Sequence, residues 1–229
     1  FLCWIKTIYL DAGIRLMRNI LLTLLFFCCV DIVAASQDLD FIAVRKAFKA
    51  GDSKKLAIKI PRLRGHILES YGAYYQLQLQ LDEARSDKKM KVDITAVRKF
   101  LTSYQGSFLA DRIRGQWLKI LGETEQWKLF AKEYRSLIKE DTELSCYSLQ
   151  QRLNINDSAI RDDALSLWLN EKEMPESCVS LFDSLVSAKL LREEDVWKRI
   201  RLALEKGKVS AVKKINPDLP KKHALRARK

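Results

Sequence analysis

Apolar side chains in this chain recur three and four positions apart in short stretches, and each stretch ends at a single glycine or at a residue that caps helices. Such spacing lays an apolar stripe along one side of a short helix, and that stripe has to be buried against a neighbour. Turn-forming residues are scarce. Eight Gly and four Pro make 12 of 229 residues, about 5% where an average protein carries roughly 12%. A many-stranded sandwich, barrel or propeller needs more turns than that, and collagen-like or linker composition is excluded. Apolar residues make up 48% of the chain and are well spread, which excludes disorder over most of its length.

Helices are expected from Asp38 onward. Phe41, Val44 and Phe48 share one face, and Gly51 stops that helix where a left-handed backbone is cheap. Asp52 or Ser53 caps the next, which carries Leu56 and Ile60 and ends at Pro61. A Tyr-rich helix over 67–84 follows, then one capped by Asp93 and closed at Gly106. Ser107 opens a helix with Leu109, Ile113, Trp117 and Leu121 that stops at Gly122, and another starts near Thr124 with Trp127, Phe130 and Tyr134. Further helices are read at 142–153, 158–170, 177–190 and 193–206. About ten short helices with short joints cannot build one four-helix bundle. They suit an all-α solenoid or α-superhelix of antiparallel helix hairpins.

A weak internal repeat agrees. Residues 44–61 and 200–217 align without gaps, with Arg45/Arg201, Ala47/Ala203, Gly51/Gly207 and Pro61/Pro217 identical. Gly122 with Trp127 five places on reads as a fainter third copy. The repeated unit is a helix, a glycine turn and a second helix folding back, which cannot bury its apolar face alone.

Residues 17–35 read MRNILLTLLFFCCVDIVAA. One positive charge, an apolar run from Ile20 to Val30 and small residues at Val33 and Ala35 form a secretory leader, with cleavage expected between Ala35 and Ser36. Asp31 interrupts the run well short of the 20 or so residues a membrane span needs. The stretch before Met17 has no Met and is left out of the fold reasoning. Cys3, Cys28 and Cys29 leave with the leader, so Cys146 and Cys178 remain. An even pair in an exported chain is a disulfide candidate; two buried thiols is the alternative. Neither has a Cys or His at metal-ligand spacing, so no metal is expected.

The net charge of +12 is uneven: residues 206–229 hold nine basic side chains and one acid, Asp218, leaving +3 for 36–205. The basicity belongs to a tail, which attracts polyanions without specificity. Chemistry is sparse. His66 and His223 are the only histidines, the glycines never cluster, and the carboxylates fall on polar helix faces. No triad, phosphate loop or cofactor motif is present. Trp117, Trp127, Trp168 and Trp197 sit at helical spacing beside Leu and Ile and read as core rather than as sugar platforms.

The segment SFLADRIRGQWLKILGETEQWKLFAKEY, then Cys146-Tyr147, Leu167-Trp168, Pro175, Cys178 with Leu181-Phe182, and IRLALEKG at 200–207 follow one another in an order that resembles the N-terminal superhelical domain of the Slt-type soluble lytic murein transglycosylases of Gram-negative bacteria. The resemblance spans about 38–215. It implies a ring or horseshoe of short helices in the periplasm, a Cys146–Cys178 disulfide, and peptidoglycan glycan strands as partner. It also implies a separate lysozyme-like domain downstream, where one Glu acts as acid and then base and the muramyl 6-hydroxyl attacks to give a 1,6-anhydro product. The family's Glu stands in an E-S pair followed by G-L-M-Q. Glu69-Ser70 and Glu176-Ser177 lack that continuation and are read as structural, with Glu176 at a helix start capped near Ser177. No catalytic residue is therefore assigned in this chain.

The expected organisation is an upstream stretch plus leader at 1–35, a superhelical domain at 36–215, and a basic tail at 216–229. No cofactor and no nucleic acid is expected, and the chain is expected to be monomeric. A tetratricopeptide-like periplasmic protein scaffold with no glycan role is the alternative.

Overall fold

A computed structural model describes residues 38–87, 90–157, 159–169 and 174–225. Every regular element among them is helical, in line with the all-α expectation. The leader and the Ala35/Ser36 junction lie outside the described residues. The chain divides into two compact units, split between Phe100 and Leu101.

In the first unit, α1 (38–49) turns at Gly51 into α2 (Ser53–Lys59), which continues as a 3-10 turn (Ile60–Leu63) with Pro61 in its first turn; α3 (Glu69–Ser86) and α4 (Ile94–Ser103) follow, α4 running across the split. Pro61 ends the α-helix because it has no N–H to give Ala57 and its ring crowds the preceding turn. The cap of α2 is Asp52, whose carboxylate accepts from the Lys55 amide at 2.9 Å. Phe48 stacks on Tyr75 with ring centroids 4.2 Å apart, and Val44, Leu56 and Leu63 are fully buried. His66 has a local duty: its Nδ1 accepts from the Leu68 amide and its Nε2 faces Asp38 at 3.0 Å, tying the approach of α3 to α1. Glu69, of the first E-S pair, accepts from the Gly65 amide at 2.8 Å.

The second unit holds α5 (Phe108–Glu123), α6 (Trp127–Tyr134), α7 (Thr142–Asn154), α8 (Ile160–Trp168), α9 (Glu176–Ser187), α10 (Glu193–Glu205), α11 (Val209–Ile215) and a 3-10 turn (Asn216–Asp218). Ser107 caps α5 as its sequence position predicts, accepting from Ala110 N at 3.1 Å. Gly122 does not stop α5. It lies inside the helix, and a Cβ there would sit 2.4 Å from Tyr147 Cγ, so this glycine exists for the close approach of α7. Thr124 likewise closes α5 rather than opening α6.

The loop between α6 and α7 is held by α5. Buried Asp111 accepts from the amides of Ile138 (2.7 Å) and Lys139 (3.0 Å), and Arg114 Nη1 donates to the Ser136 carbonyl at 3.1 Å. Lys119 Nζ bridges Asp141 (2.7 Å) and Glu143 (2.8 Å) at the start of α7. Burial opposes charge on Lys119, but those two hydrogen bonds outweigh it and hold the ammonium above its usual range.

The repeat recurs as backbone geometry. At Gly51 (φ 67°) the amide donates to Phe48 O and the next amide to Ala47 O; at Gly207 (φ 67°) the partners are Leu204 O and Ala203 O. This is a Schellman turn. The same pair of bonds forms at Glu125, Asn156 and Lys189, all with positive φ. The third copy is thus centred on Glu125 and not on Gly122, and the unit recurs five times among the described residues. A left-handed turn is set by the two bonds it closes, so a non-glycine can be held there at some cost in strain.

Candidate functional site

The disulfide ties the heart of the second unit. Cys146 on α7 and Cys178 on α9 are joined, with Cα atoms 5.0 Å apart and both side chains fully buried. Beside it, Gln150 Nε2 donates to the Ser177 carbonyl at 2.6 Å, and Ser177 Oγ donates to the Glu143 carbonyl at 3.4 Å. Glu176 is the first residue of α9, but Pro175 occupies the cap position, so Ser177 docks α9 on α7 instead of capping it. Ser177 therefore has structural work, and Glu176 stands at a helix start, as the sequence suggests.

Of the four tryptophans at helical spacing, Trp117 and Trp168 are buried, while Trp127 and Trp197 are half-buried. Trp168, at the end of α8, is the hinge of a polar node. Its Nε1 donates to the Asp195 carbonyl at 3.0 Å, and its own carbonyl accepts from Arg199 Nη1 at 2.7 Å. The Arg199 guanidinium lies over the Trp168 ring, 4.3 Å from the centroid, and Phe182 meets the same ring edge-on at 4.6 Å. A guanidinium suits such a position because its flat face stacks while its edge still donates. Asp195, only 3% exposed, caps its own helix through the Arg192 amide and takes Arg161 Nη2 at 3.0 Å.

This node forms one wall of a cavity of about 580 Å³ bounded by the end of α8 and by α9, α10 and α11. Trp168, Phe182, Leu202, Ala203 and Ile215 supply apolar lining. Both signs of charge enter it: Glu176, Asp183 and Asp218 on one hand, Arg199, Lys206, Lys208 and Lys214 on the other. Asp218 is the perturbed group. Burial first, then the nearby Asp183 carboxylate, push it up to about 6, against a weaker pull from Arg199. Burial in turn lowers Arg199 from its ordinary value.

The stretch expected as a basic tail is anchored as far as Leu225. Leu219 is 4% exposed in the same core as the disulfide, Asn216 makes two hydrogen bonds with the Leu225 backbone, and His223 pairs with Glu193. Among the described residues no group of three His, Cys, Asp or Glu could hold a metal, and no helix is long and apolar enough to cross a membrane.

Sequence reasoning placed the two cysteines and the core role of Trp168. It missed Asp183, read with the other carboxylates on polar helix faces, Asp218, read as tail, and Arg199, which it did not single out. One signal could have flagged them: extending the repeat alignment one residue sets Asp218 opposite Arg62, a reversal of sign in an otherwise kindred unit.

Against known proteins, the chain matches no family profile and no curated sequence. It does match solved structures. An inactive mutant of lytic transglycosylase Slt from Pseudomonas aeruginosa aligns with a TM-score of 0.61 and 27% identity, over 80% of this chain and 28% of that one. The 70-kDa soluble lytic transglycosylase from Escherichia coli aligns with a TM-score of 0.62 and 19% identity, over 82% of this chain and 29% of that one. A complex of the 70-kDa soluble lytic transglycosylase with bulgecin A aligns equally well. The chain spans under a third of the length of these relatives. In fold, it is therefore an Slt-like all-α superhelical domain.

Proposed function

We propose that this chain is the N-terminal, non-catalytic superhelical region of a periplasmic lytic murein transglycosylase and acts in peptidoglycan turnover. The 27% identity over 80% of the chain to the Pseudomonas aeruginosa enzyme carries this reading. The leader at 17–35 and the buried disulfide support an oxidising, exported setting. The parent enzyme would cleave the bond between N-acetylmuramic acid and N-acetylglucosamine, forming the 1,6-anhydro product in a downstream lysozyme-like domain. The share of the chain contained here, 36–215 by the sequence reading, would hold glycan strands or position that domain. It acts as a monomer without a cofactor.

Sedimentation with purified sacculi tests the proposal. The chain is expected to pellet with them and to release no anhydro-muropeptides by mass spectrometry. Failure to pellet, with capture of a periplasmic protein instead, would favour the tetratricopeptide-like scaffold. Release of anhydro products by this chain alone would overturn the non-catalytic assignment.

A further inference from the structure

From the cavity bounded by α8, α9, α10 and α11 we infer a binding site for a short amphoteric peptide, its ammonium group set against Asp183 and Asp218 and its carboxylate against Lys214 and Arg199. At about 580 Å³ the cavity has room for a ligand of a few residues. Its lining selects among ligand classes. A sugar that stacks needs an open aromatic face. Trp168 is 2% exposed and Phe182 3%, Arg199 covers the indole, and Ser210 is the single neutral hydroxyl or amide side chain in the wall. A phosphate or polyanion would meet the Asp183 and Asp218 carboxylates. A purely apolar molecule would leave seven charged side chains without purpose.

The acid pair is what asks for a cation. Asp183 and Asp218 repel one another, and neither carboxylate is hydrogen-bonded or ion-paired among the described residues. An ammonium between them would relieve that repulsion and stabilise the charge that burial disfavours on Asp218. On the cationic side, Arg199 spends one donor on Trp168 O and stacks by its face, leaving further N–H groups on a fixed plane for a carboxylate. Lys214, exposed on α11, adds a mobile point charge.

This inference stands on the cavity alone and goes beyond the glycan reading. Isothermal titration calorimetry of the purified chain at pH 7.5 tests it, with the free tripeptide Ala-Glu-Lys as probe. Saturable binding is expected. Acetylating both amines of the peptide should weaken it by roughly tenfold or more, the loss of one charge-assisted contact. Asp218→Asn, shown to be folded by circular dichroism, should weaken the free peptide by a similar factor and leave the acetylated one unchanged. Lys214→Gln should weaken the free peptide but not its C-terminal amide. Chitotetraose should not displace the peptide. Absence of saturable heat at millimolar peptide, equal binding of free and acetylated forms, or an Asp218→Asn variant that binds as well as the parent chain would each overturn the inference. A chain that pellets with sacculi yet ignores the peptide would overturn this inference and leave the glycan proposal standing.

Discussion

The hairpins at the two ends of the described chain share a backbone plan but not a surface. In α1–α2 and in α10–α11 a glycine at φ 67° closes the same two hydrogen bonds, and a proline in the first turn of a 3-10 segment ends each second helix. The side chains around that plan differ. Where the first hairpin has Ala43, Ile58 and Arg62, the second has Arg199, Lys214 and Asp218. Ile58 is 69% exposed and Arg62 reaches out to Asp40 at 3.5 Å. In the second hairpin the equivalent three positions line the cavity. The caps differ too, since Asp52 caps α2 with its side chain while Lys208 contributes none to α11. The hairpin is thus a structural coin used at least twice, and specificity is struck on only one copy.

The sharpest way to separate the two regions is reduction. The disulfide lies in the second unit, and the first has none among its described residues. Closing a loop over a sequence separation of 32 stabilises a fold by about 4 kcal/mol on the chain-entropy account. Cys146→Ser with Cys178→Ser should therefore lower the denaturant midpoint of the second unit by that equivalent. Amide exchange should rise across α7, α9 and α10 and stay unchanged in α1–α3. Uniform loss of protection in both units would show that the disulfide stabilises the chain as one cooperative body.

The glycine-closed turns were legible because only glycine tolerates positive φ cheaply, so it marks the turn in the sequence. Glu125, Asn156 and Lys189 carry the same conformation without that mark, which is why the third repeat was set three residues early, at Gly122. Gly122 itself misled for a second reason. A glycine needed for helix-to-helix approach looks identical in sequence to one needed for a turn, and only the Tyr147 ring distinguishes them. The disulfide partners were legible by counting. The cavity was not, because Asp183, Arg199 and Asp218 come from three elements, and a helical period describes one element at a time. Asp218 also fell inside a run read by its net charge, where one acid among nine basic side chains disappears.

A middling effect tests whether the two hairpins are one device. Gly51 and Gly207 have the same φ, and open space surrounds the position of an added Cβ at each. Alanine there meets no clash and only backbone strain, of the order of 1 kcal/mol at each site. Gly51→Ala and Gly207→Ala should therefore give matching losses in urea denaturation, each local to its own unit by amide exchange. A marked inequality would mean that one turn is supported by neighbours the other lacks, and the shared plan would then be coincidence of sequence rather than of mechanics.

The smallest effect is in pH, and it belongs to the second hairpin alone. Asp218 is raised to about 6 by burial and by Asp183, with Arg199 opposing; Glu176, Lys206, Lys208 and Lys214 also line that cavity. For an acid raised on folding the native state holds the proton more tightly, so its contribution favours folding at low pH. That contribution fades as pH climbs from about 4, the unfolded value, through about 6. Asp218 is half-buried, and solvent screening keeps this contribution under about 1 kcal/mol. Asp218→Asn should remove the decline in stability between pH 4 and pH 6.5 and be at least as stable as the parent chain at neutral pH, read from urea midpoints across that range. The equivalent place in the first hairpin holds a guanidinium, Arg62, and no carboxylate, so Arg62→Gln should leave the same pH profile unaltered. If it altered that profile as much as Asp218→Asn, the slope would come from general charge and not from the cavity.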